Sequence, residues 1–289
     1  MKTVRDIRTL REVLQGFRHD GDSVALVPTM GNLHKGHMGL VRLAGEYAER
    51  IVTSVFVNPT QFGPNEDFEN YPRTFDTDRR RLSRAGVDIM FAPAHEEMYP
   101  FGLKNMTSVS VPGLPAILCG EQRPGHFDGV TSVVNRLFNA VAPDVAVFGQ
   151  KDYQQLIIIR RMVADLHMPI RILASPTFRE KTGLALSSRN RYLTDDERER
   201  AAELYAAICD CRDRYLAGER DIAALEREGL ARLARAGFEP EYLAVRQQGD
   251  LSLPDRDSCL LVVLAAARLG ETRLIDNVLF EVNVAGERL

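Results

Sequence analysis

Short apolar runs at 23–27, 51–57, 87–91, 145–148 and 170–174 alternate with segments of helical spacing near 38–49, 73–85, 130–140 and 152–167. Nothing else in this 289-residue chain restricts its fold as much. An apolar run without polar alternation has to be covered on both faces, and a parallel neighbour is reached only by a crossover long enough to hold a helix. The pattern predicts an α/β domain: a parallel sheet with helices on both faces. Ligands of such sheets bind beyond the carboxyl ends of the strands. Three polar clusters follow strand ends here: residues 28–40, Asn58-Pro59-Thr60-Gln61, and Gly149-Gln150-Lys151-Asp152.

The texture changes after Pro176. A loop containing Ser187-Ser188-Arg189-Asn190 precedes a charged helical stretch, 195–216, opened by Thr194 with Glu197 three residues on, the spacing of a capping box. A second helix near 221–236 and strands near 240–247, 259–267 and 273–282 complete a smaller α+β unit. The predicted domains are 1–176 and 177–289. The loop 59–72, with Gly63, Pro64, Pro72 and several acidic residues, reads as a mobile lid.

Bulk properties narrow the class. A net charge of −3 gives no support to a nucleic-acid surface, and Arg79-Arg80-Arg81 reads as the solvated face of a helix. The longest apolar stretch, Cys259 to Ala267, falls far short of the ~20 residues that span a bilayer. The first residues lead into a mixed-charge segment without an apolar signal region. The expectation is a cytoplasmic protein with neither nucleic acid nor membrane as partner. Cys119, Cys209, Cys211 and Cys259 match no metal-ligand spacing and read as reduced thiols.

The cluster Pro28-Thr29-Met30-Gly31-Asn32-Leu33-His34-Lys35-Gly36-His37-Met38-Gly39-Leu40 carries the strongest chemical signal. It follows the run Val24-Ala25-Leu26-Val27 and leads into an amphipathic segment, so His34 and His37 stand where a strand turns into a helix, on one helical face. A helix N-terminus offers unpaired N–H groups and a partial positive charge, which suit phosphate. Gly31 and Gly36 permit close backbone approach. Zinc is the competing reading, but it requires further ligands that the sequence does not place; phosphate contact is favoured. An H-x-G-H turn of this kind resembles those of nucleotidyltransferases and class I aminoacyl-tRNA synthetases, and by itself indicates adenylyl chemistry and no more.

Further stretches are more specific. They are Phe56-Val57-Asn58-Pro59-Thr60-Gln61-Phe62 with Glu66-Asp67 and Tyr71-Pro72-Arg73; Arg123-Pro124-Gly125-His126-Phe127-Asp128-Gly129-Val130; Phe148-Gly149-Gln150-Lys151-Asp152-Tyr153-Gln154-Gln155; Gly183-Leu184-Ala185-Leu186-Ser187-Ser188-Arg189-Asn190; and Thr272-Arg273-Leu274-Ile275-Asp276-Asn277. Together with 28–37, and in this order over nearly the whole chain, they resemble the pantothenate synthetases, the pantoate–β-alanine ligases of the H-x-G-H nucleotidyltransferase superfamily. The resemblance implies a Rossmann-like first domain and a C-terminal domain covering the active site. It implies ATP-dependent condensation of (R)-pantoate with β-alanine to pantothenate, AMP and pyrophosphate through an enzyme-bound pantoyl adenylate. ATP with Mg²⁺ would be a substrate, and the protein a homodimer.

The resemblance also assigns residues. Met30, Gly31, Asn32, Leu33, His34, Lys35, Gly36 and His37 would line the ATP site, His34 and His37 contacting phosphates and His37 donating a proton. Gly149, Gln150, Lys151 and Asp152 would form a second wall, with Lys151 stabilising the α-phosphate. Phe178, Leu186, Ser187, Ser188 and Arg189 would complete the nucleotide site, with Arg189 among the catalytic charges. Gln61 and Gln155 match the pantoate contacts, and neutral amides bind a carboxylate without cancelling its charge. Tyr71 and Arg123 would support loops, and His126 would be structural. Metal ligands and the base that deprotonates β-alanine are not identified. The chain departs from the family at Thr182, Phe178 and Thr60, which affects the adenine pocket rather than the phosphate residues.

Two other classes fit parts of this pattern. A nucleotidylyltransferase that joins AMP to a phosphorylated acceptor would share the first strand–turn–helix but would not require the two glutamines. A non-catalytic nucleotide-binding relative would have no use for His37, Lys151 and Arg189 together.

Overall fold

A computed structural model describes residues 1–64, 66 and 68–282. The chain forms two units: Met1–Gln150 with Gln155–Pro176, and Lys151–Gln154 with Thr177 onward. Residues 283–289 of the predicted second domain lie outside the described residues.

The first unit holds a six-stranded parallel sheet in the order β1-β4-β3-β2-β5-β6. Its strands are β1 (Lys2–Val4), β2 (Val24–Thr29), β3 (Arg50–Val55), β4 (Ile89–Phe91), β5 (Val145–Gly149) and β6 (Arg171–Ser175). The helices are α1 (Ile7–His19), α2 (Lys35–Gly45), α3 (Phe75–Arg84), the short α4 (His95–Met98) and α5 (Cys119–Gln122), α6 (His126–Val141) and α7 (Tyr153–Asp165). Ala25, Val27, Ile51, Met90, Val145 and Val147 point from one face into a core with Val41 and Ala44 of α2 and Leu82 of α3. On the other face α1 lies beside α6, and Phe138 of α6 meets Phe148 of β5 edge to face at 6.4 Å. Burial on both faces is why the inner strands β2, β3, β4 and β5 read as unbroken apolar runs.

Two elements near the N-terminus are additions to the sequence reading. β1 has one buried residue, Val4, and among the described residues pairs only with β4, so its run is too short to register as a strand. α1 is capped by the Asp6 carboxylate, which accepts from the Thr9 N–H at 2.7 Å, and it buries Leu10 and Leu14.

In the second unit α8 (Asp195–Arg200), α9 (Glu203–Leu216) and α10 (Ile222–Arg235) precede the antiparallel sheet β7 (Glu239–Gln247), β8 (Leu260–Leu269), β9 (Thr272–Glu281). The predicted single helix 195–216 is corrected to two. The Thr194–Glu197 capping box forms as expected, but the helix stops after Arg200, where the fully buried Ala201 turns the chain before α9 resumes at Glu203. Leu204, Ile208 and Leu233 then pack with Leu261, Val263 and Ala265 of β8. Cys119, Cys209, Cys211 and Cys259 are unbridged. Among the described residues no helix is long and apolar enough to cross a membrane.

Candidate active site

Strand order reverses direction between β2 and β5, since β3 lies on one side of β2 and β6 on the far side of β5. A crevice opens at such a switch point. Here β2 and β5 pair only at Ala25↔Val145 and Leu26↔Ala146. Two residues later stands Pro28, which has no N–H to offer a neighbour. The predicted polar clusters 28–40 and 149–152 both leave the sheet from this point.

The turn after β2 is set by its own polar groups. Thr29 Oγ1 donates to the Ser54 carbonyl at 2.7 Å and accepts from the Gly31 N–H at 3.2 Å. Gly31 and Asn32 follow in left-handed conformations, with φ of 83° and 49°. The helix begins at Lys35, earlier than the sequence indicates, so His34 is its N-cap rather than a residue preceding it. His34 Nδ1 accepts from the Gly36 N–H at 3.1 Å, and His37 Nδ1 accepts from the His34 N–H at 3.2 Å. The two rings lie 4.1 Å apart. With Nδ1 accepting on each ring, the neutral imidazole carries its proton on Nε2. The pair therefore presents N–H donors where a helix N-terminus already favours anions. Leu33 and Gly36 are buried, Met30 and Asn32 half-buried, and Lys35 exposed.

Beyond β3 the chain forms a short 3₁₀ turn, Pro59–Gln61. Gln61 is held from three sides. Its carbonyl accepts from Arg123 Nη2 at 3.2 Å and contacts His126 Nδ1 at 2.7 Å. Its Oε1 accepts from Asn58 Nδ2 at 3.0 Å, which leaves the Gln61 amide nitrogen as the donor end. Asn58 is wholly buried and itself fixed: Nδ2 also donates to the Gly129 carbonyl, while Oδ1 accepts from Tyr99 and Thr60 at 2.6 and 3.1 Å. Burial pushes the Tyr99 phenol up, so it acts as a neutral O–H donor. Gly129 lets α6 come this close, since a Cβ there would lie 2.1 Å from the Thr60 carbonyl oxygen.

Arg123 bridges to Glu66 in a bidentate pair at 2.5 and 2.6 Å. Burial raises the Glu66 carboxyl, but Arg123 and His126 outweigh it and hold the group below its ordinary value. Phe62 packs against Phe68 and Tyr71 at 5.4 and 5.8 Å. Loop 59–72 is thus pinned by an ion pair and an aromatic cluster; its Asn65 and Asp67 lie outside the described residues.

Gly149 closes β5 opposite Ser175, and the Gln150 N–H donates to the Ser175 carbonyl at 2.8 Å. Asp152 is exposed, and Gln155 is half-buried in the first turn of α7.

In the second unit, Asn277 Nδ2 of β9 donates to the Lys151 carbonyl at 2.9 Å. Its neighbour Asp276 holds Arg179 at 2.5 and 2.9 Å, and the Arg179 guanidinium stacks 3.5 Å from the Tyr205 ring. Burial raises the Asp276 carboxyl above its ordinary value while Arg179 pulls the other way. Arg179 and Ala185 pair across a tight hairpin, and the Leu186 N–H donates to the Phe178 carbonyl at 2.8 Å. Thr182, one of the family departures, is exposed at the hairpin tip, and Phe178 is half-buried. Ser187 Oγ accepts from the Arg189 N–H at 3.2 Å and caps the 3₁₀ turn Ser188–Tyr192. Its hydroxyl proton remains a donor.

Asn58 and Tyr99, which orient Gln61, are not marked as site residues by the sequence, although Asn58 stands in the Asn58-Pro59-Thr60-Gln61 cluster. The available signal is an asparagine at a strand end beside Pro59; nothing local marks Tyr99, which lies 41 residues away. Among the described residues no group of three or more His, Cys, Asp or Glu gathers as a metal site.

A family model described as pantoate-beta-alanine ligase matches residues 2–279. The pantothenate synthetase of Stutzerimonas stutzeri (strain A1501) is 53% identical over 285 residues, covering 99% of this chain and 100% of that one. That of Pseudomonas putida (strain KT2440) is 54% identical over 280 residues, 96% of each chain. Among solved structures, pantothenate synthetase from Thermus thermophilus is similar with a TM-score of 0.88 at 46% identity, covering 96% of this chain and 99% of that one. The pantoate-beta-alanine ligase of Francisella tularensis, complexed with beta-gamma ATP and beta-alanine, gives a TM-score of 0.81 at 31% identity, over 96% and 97% of the two chains.

Proposed function

The chain belongs to the pantoate–β-alanine ligase family, and from that premise we propose how its residues make pantothenate from pantoate, β-alanine and ATP. Pantoate's carboxylate, with a pKa of about 4, is already ionised near neutrality. The first step therefore needs no base; its obstacle is an anion approaching a polyanion. The carboxylate attacks the α-phosphorus of ATP and pyrophosphate leaves, giving pantoyl adenylate. The amine of β-alanine, having lost its ammonium proton, then attacks the acyl carbon and AMP departs.

One observation carries this reading: a helix capped by two histidines, whose Nδ1 atoms are both engaged by backbone N–H groups. His34 and His37 donate through Nε2 to the phosphates, and charge moving onto pyrophosphate strengthens those bonds. The backbone from Met30 to Gly36 approaches the same phosphates. Lys151 supplies a compact charge at the α-phosphate, with Gly149, Gln150 and Asp152 around it. Ser187, Ser188 and Arg189 donate to the polyphosphate, and Phe178 and Leu186 flank the base. Gln61 presents its amide nitrogen to pantoate because Asn58 occupies its oxygen, and Gln155 is the second amide on that substrate.

ATP would enter as its Mg²⁺ complex, in which the ion would offset phosphate charge. An acyl adenylate hydrolyses readily, so water must be kept away; loop 59–72, pinned at Glu66, is the cover. Homodimeric assembly and a cytoplasmic location belong to the same reading, and sizing of the purified protein checks the first.

The test is AMP and pyrophosphate release from ATP and pantoate, with and without β-alanine. Lys151→Ala lowers pantoate-dependent pyrophosphate release by about a hundredfold. An unaffected rate removes Lys151 from the phosphate site, and AMP transfer to a phosphorylated acceptor replaces the ligase mechanism with a nucleotidylyltransferase one.

A further inference from the structure

We propose that α3 is a clamp that sets the shape of the ATP-binding turn, with Asp78 and Arg81 as positioning residues. The inference rests on the reading that Met30–His37 holds ATP. Asp78 is fully buried, and its carboxylate accepts from the Asn32 N–H and the Leu33 N–H, each at 2.9 Å, and from Thr74 Oγ1 at 2.9 Å. One helical turn on, Arg81 donates to the Leu33 carbonyl. A single helix face thus grips the turn by two N–H groups and a carbonyl. Leu82, next along the same face, packs with Leu33 in the core.

The turn needs such a grip. Gly31 and Asn32 are successive left-handed residues, a conformation that costs a non-glycine residue free energy and persists only where surroundings impose it. A Cβ on Gly31 would sit 3.2 Å from Asp78 Oδ2 and 3.1 Å from Val55 Cγ1. His34 follows directly, so the direction of its ring depends on where Leu33 is held. The three consecutive arginines are accordingly unlike one another. Arg79 approaches Asp76 and Arg80 bonds Thr77 on their own helix, whereas Arg81 reaches the turn.

Asp78→Asn keeps one acceptor and sets an NH₂ group against a backbone N–H, releasing one strand of the grip. The KM for ATP in pantoate-dependent pyrophosphate release then rises about tenfold, since small misplacements near reacting groups are costly, while the KM for pantoate stays within about twofold. Arg81→Met, at a residue that is itself exposed, raises the ATP KM by about threefold, and decides the matter if Asp78→Asn does not fold by circular dichroism. His37→Ala is measured alongside. Folded clamp variants with unchanged ATP KM, beside a His37→Ala protein that is impaired toward ATP, overturn the clamp alone. Equal losses toward ATP and pantoate overturn it as well, reducing Asp78 to a structural residue. A His37→Ala protein with unchanged ATP kinetics removes ATP from the turn, and the clamp falls with that reading.

Discussion

On the proposed assignment of Gln61 to pantoate, removing one oxygen, in Tyr99→Phe, separates positioning of pantoate from binding of ATP. The phenol is 4% exposed, and its proton goes to Asn58 Oδ1 at 2.6 Å. Asn58 Oδ1 keeps a second donor, Thr60 at 3.1 Å, so the substitution weakens rather than strands a buried acceptor. The net loss is that of one ordinary hydrogen bond, about 1 kcal/mol. In a unit of this size that lowers the melting temperature by ~2–4 °C. The same loss governs orientation. Two donors at Oδ1 and two acceptors at Nδ2, Gln61 Oε1 and the Gly129 carbonyl, define which way the Asn58 amide points. With one donor gone the Asn58 amide is held less firmly, and so is the Gln61 amide whose NH₂, on the proposed assignment, faces pantoate. A penalty of about 1 kcal/mol corresponds to about a fivefold rise in the KM for pantoate. Initial rates of pyrophosphate release with each substrate varied in turn measure it. A fall in melting temperature with an unchanged pantoate KM, or an equal rise for ATP, refutes the relay from Tyr99 through Asn58 to Gln61.

Gln155→Ala raises the KM for pantoate more than that for ATP in the same assay; the reverse order moves Gln155 out of the pantoate site. The Glu66–Arg123 pair gives a pH dependence of known sign. A carboxyl held below its ordinary 4.5 stabilises the folded state above that value and loses its contribution as the pH falls through its folded value. Glu66→Gln therefore lowers the melting temperature at pH 7, and the gap from the parent protein narrows below a pH of about 4.5. A gap that is constant or widens on acidification shows that the ion pair is not what holds the loop.

The parallel sheet is legible because its inner strands are buried on both faces, and the H-x-G-H turn because its residues are contiguous. The remaining parts of the fold fail for separate physical reasons. β1 buries one side chain of three, too few for a pattern. α1 does carry a signal, Asp6 as cap with Leu10 and Leu14 four apart, but its charges dominate the composition of that segment. The break after Arg200 falls at Ala201-Ala202, two good helix formers. No propensity marks it. The site divides in the same way. Gln61, Lys151 and the histidines sit in local motifs. Asp78 and Tyr99 act across crossovers of 46 and 41 residues, and local spacing does not encode which helix face will meet which turn. Arg81 is hidden by its neighbours, since a run of three arginines reads as one solvated surface.

On the proposed reading, in which the turn holds the phosphates of ATP, histidine suits the helix cap. A cap needs an acceptor for a backbone N–H, and serine, threonine, asparagine and aspartate supply one most often. Aspartate would set a negative charge against a polyphosphate, and serine is too short to cap and also reach outward. An imidazole does both: Nδ1 accepts from the Gly36 N–H, and the opposite ring nitrogen carries the proton and donates. His37 repeats the arrangement by accepting from the His34 N–H. The helix thus satisfies two of its own donors while two ring N–H groups replace them at its mouth. The cap lies where β2 has parted from β5, so the exchange takes place in the crevice at the strand-order reversal.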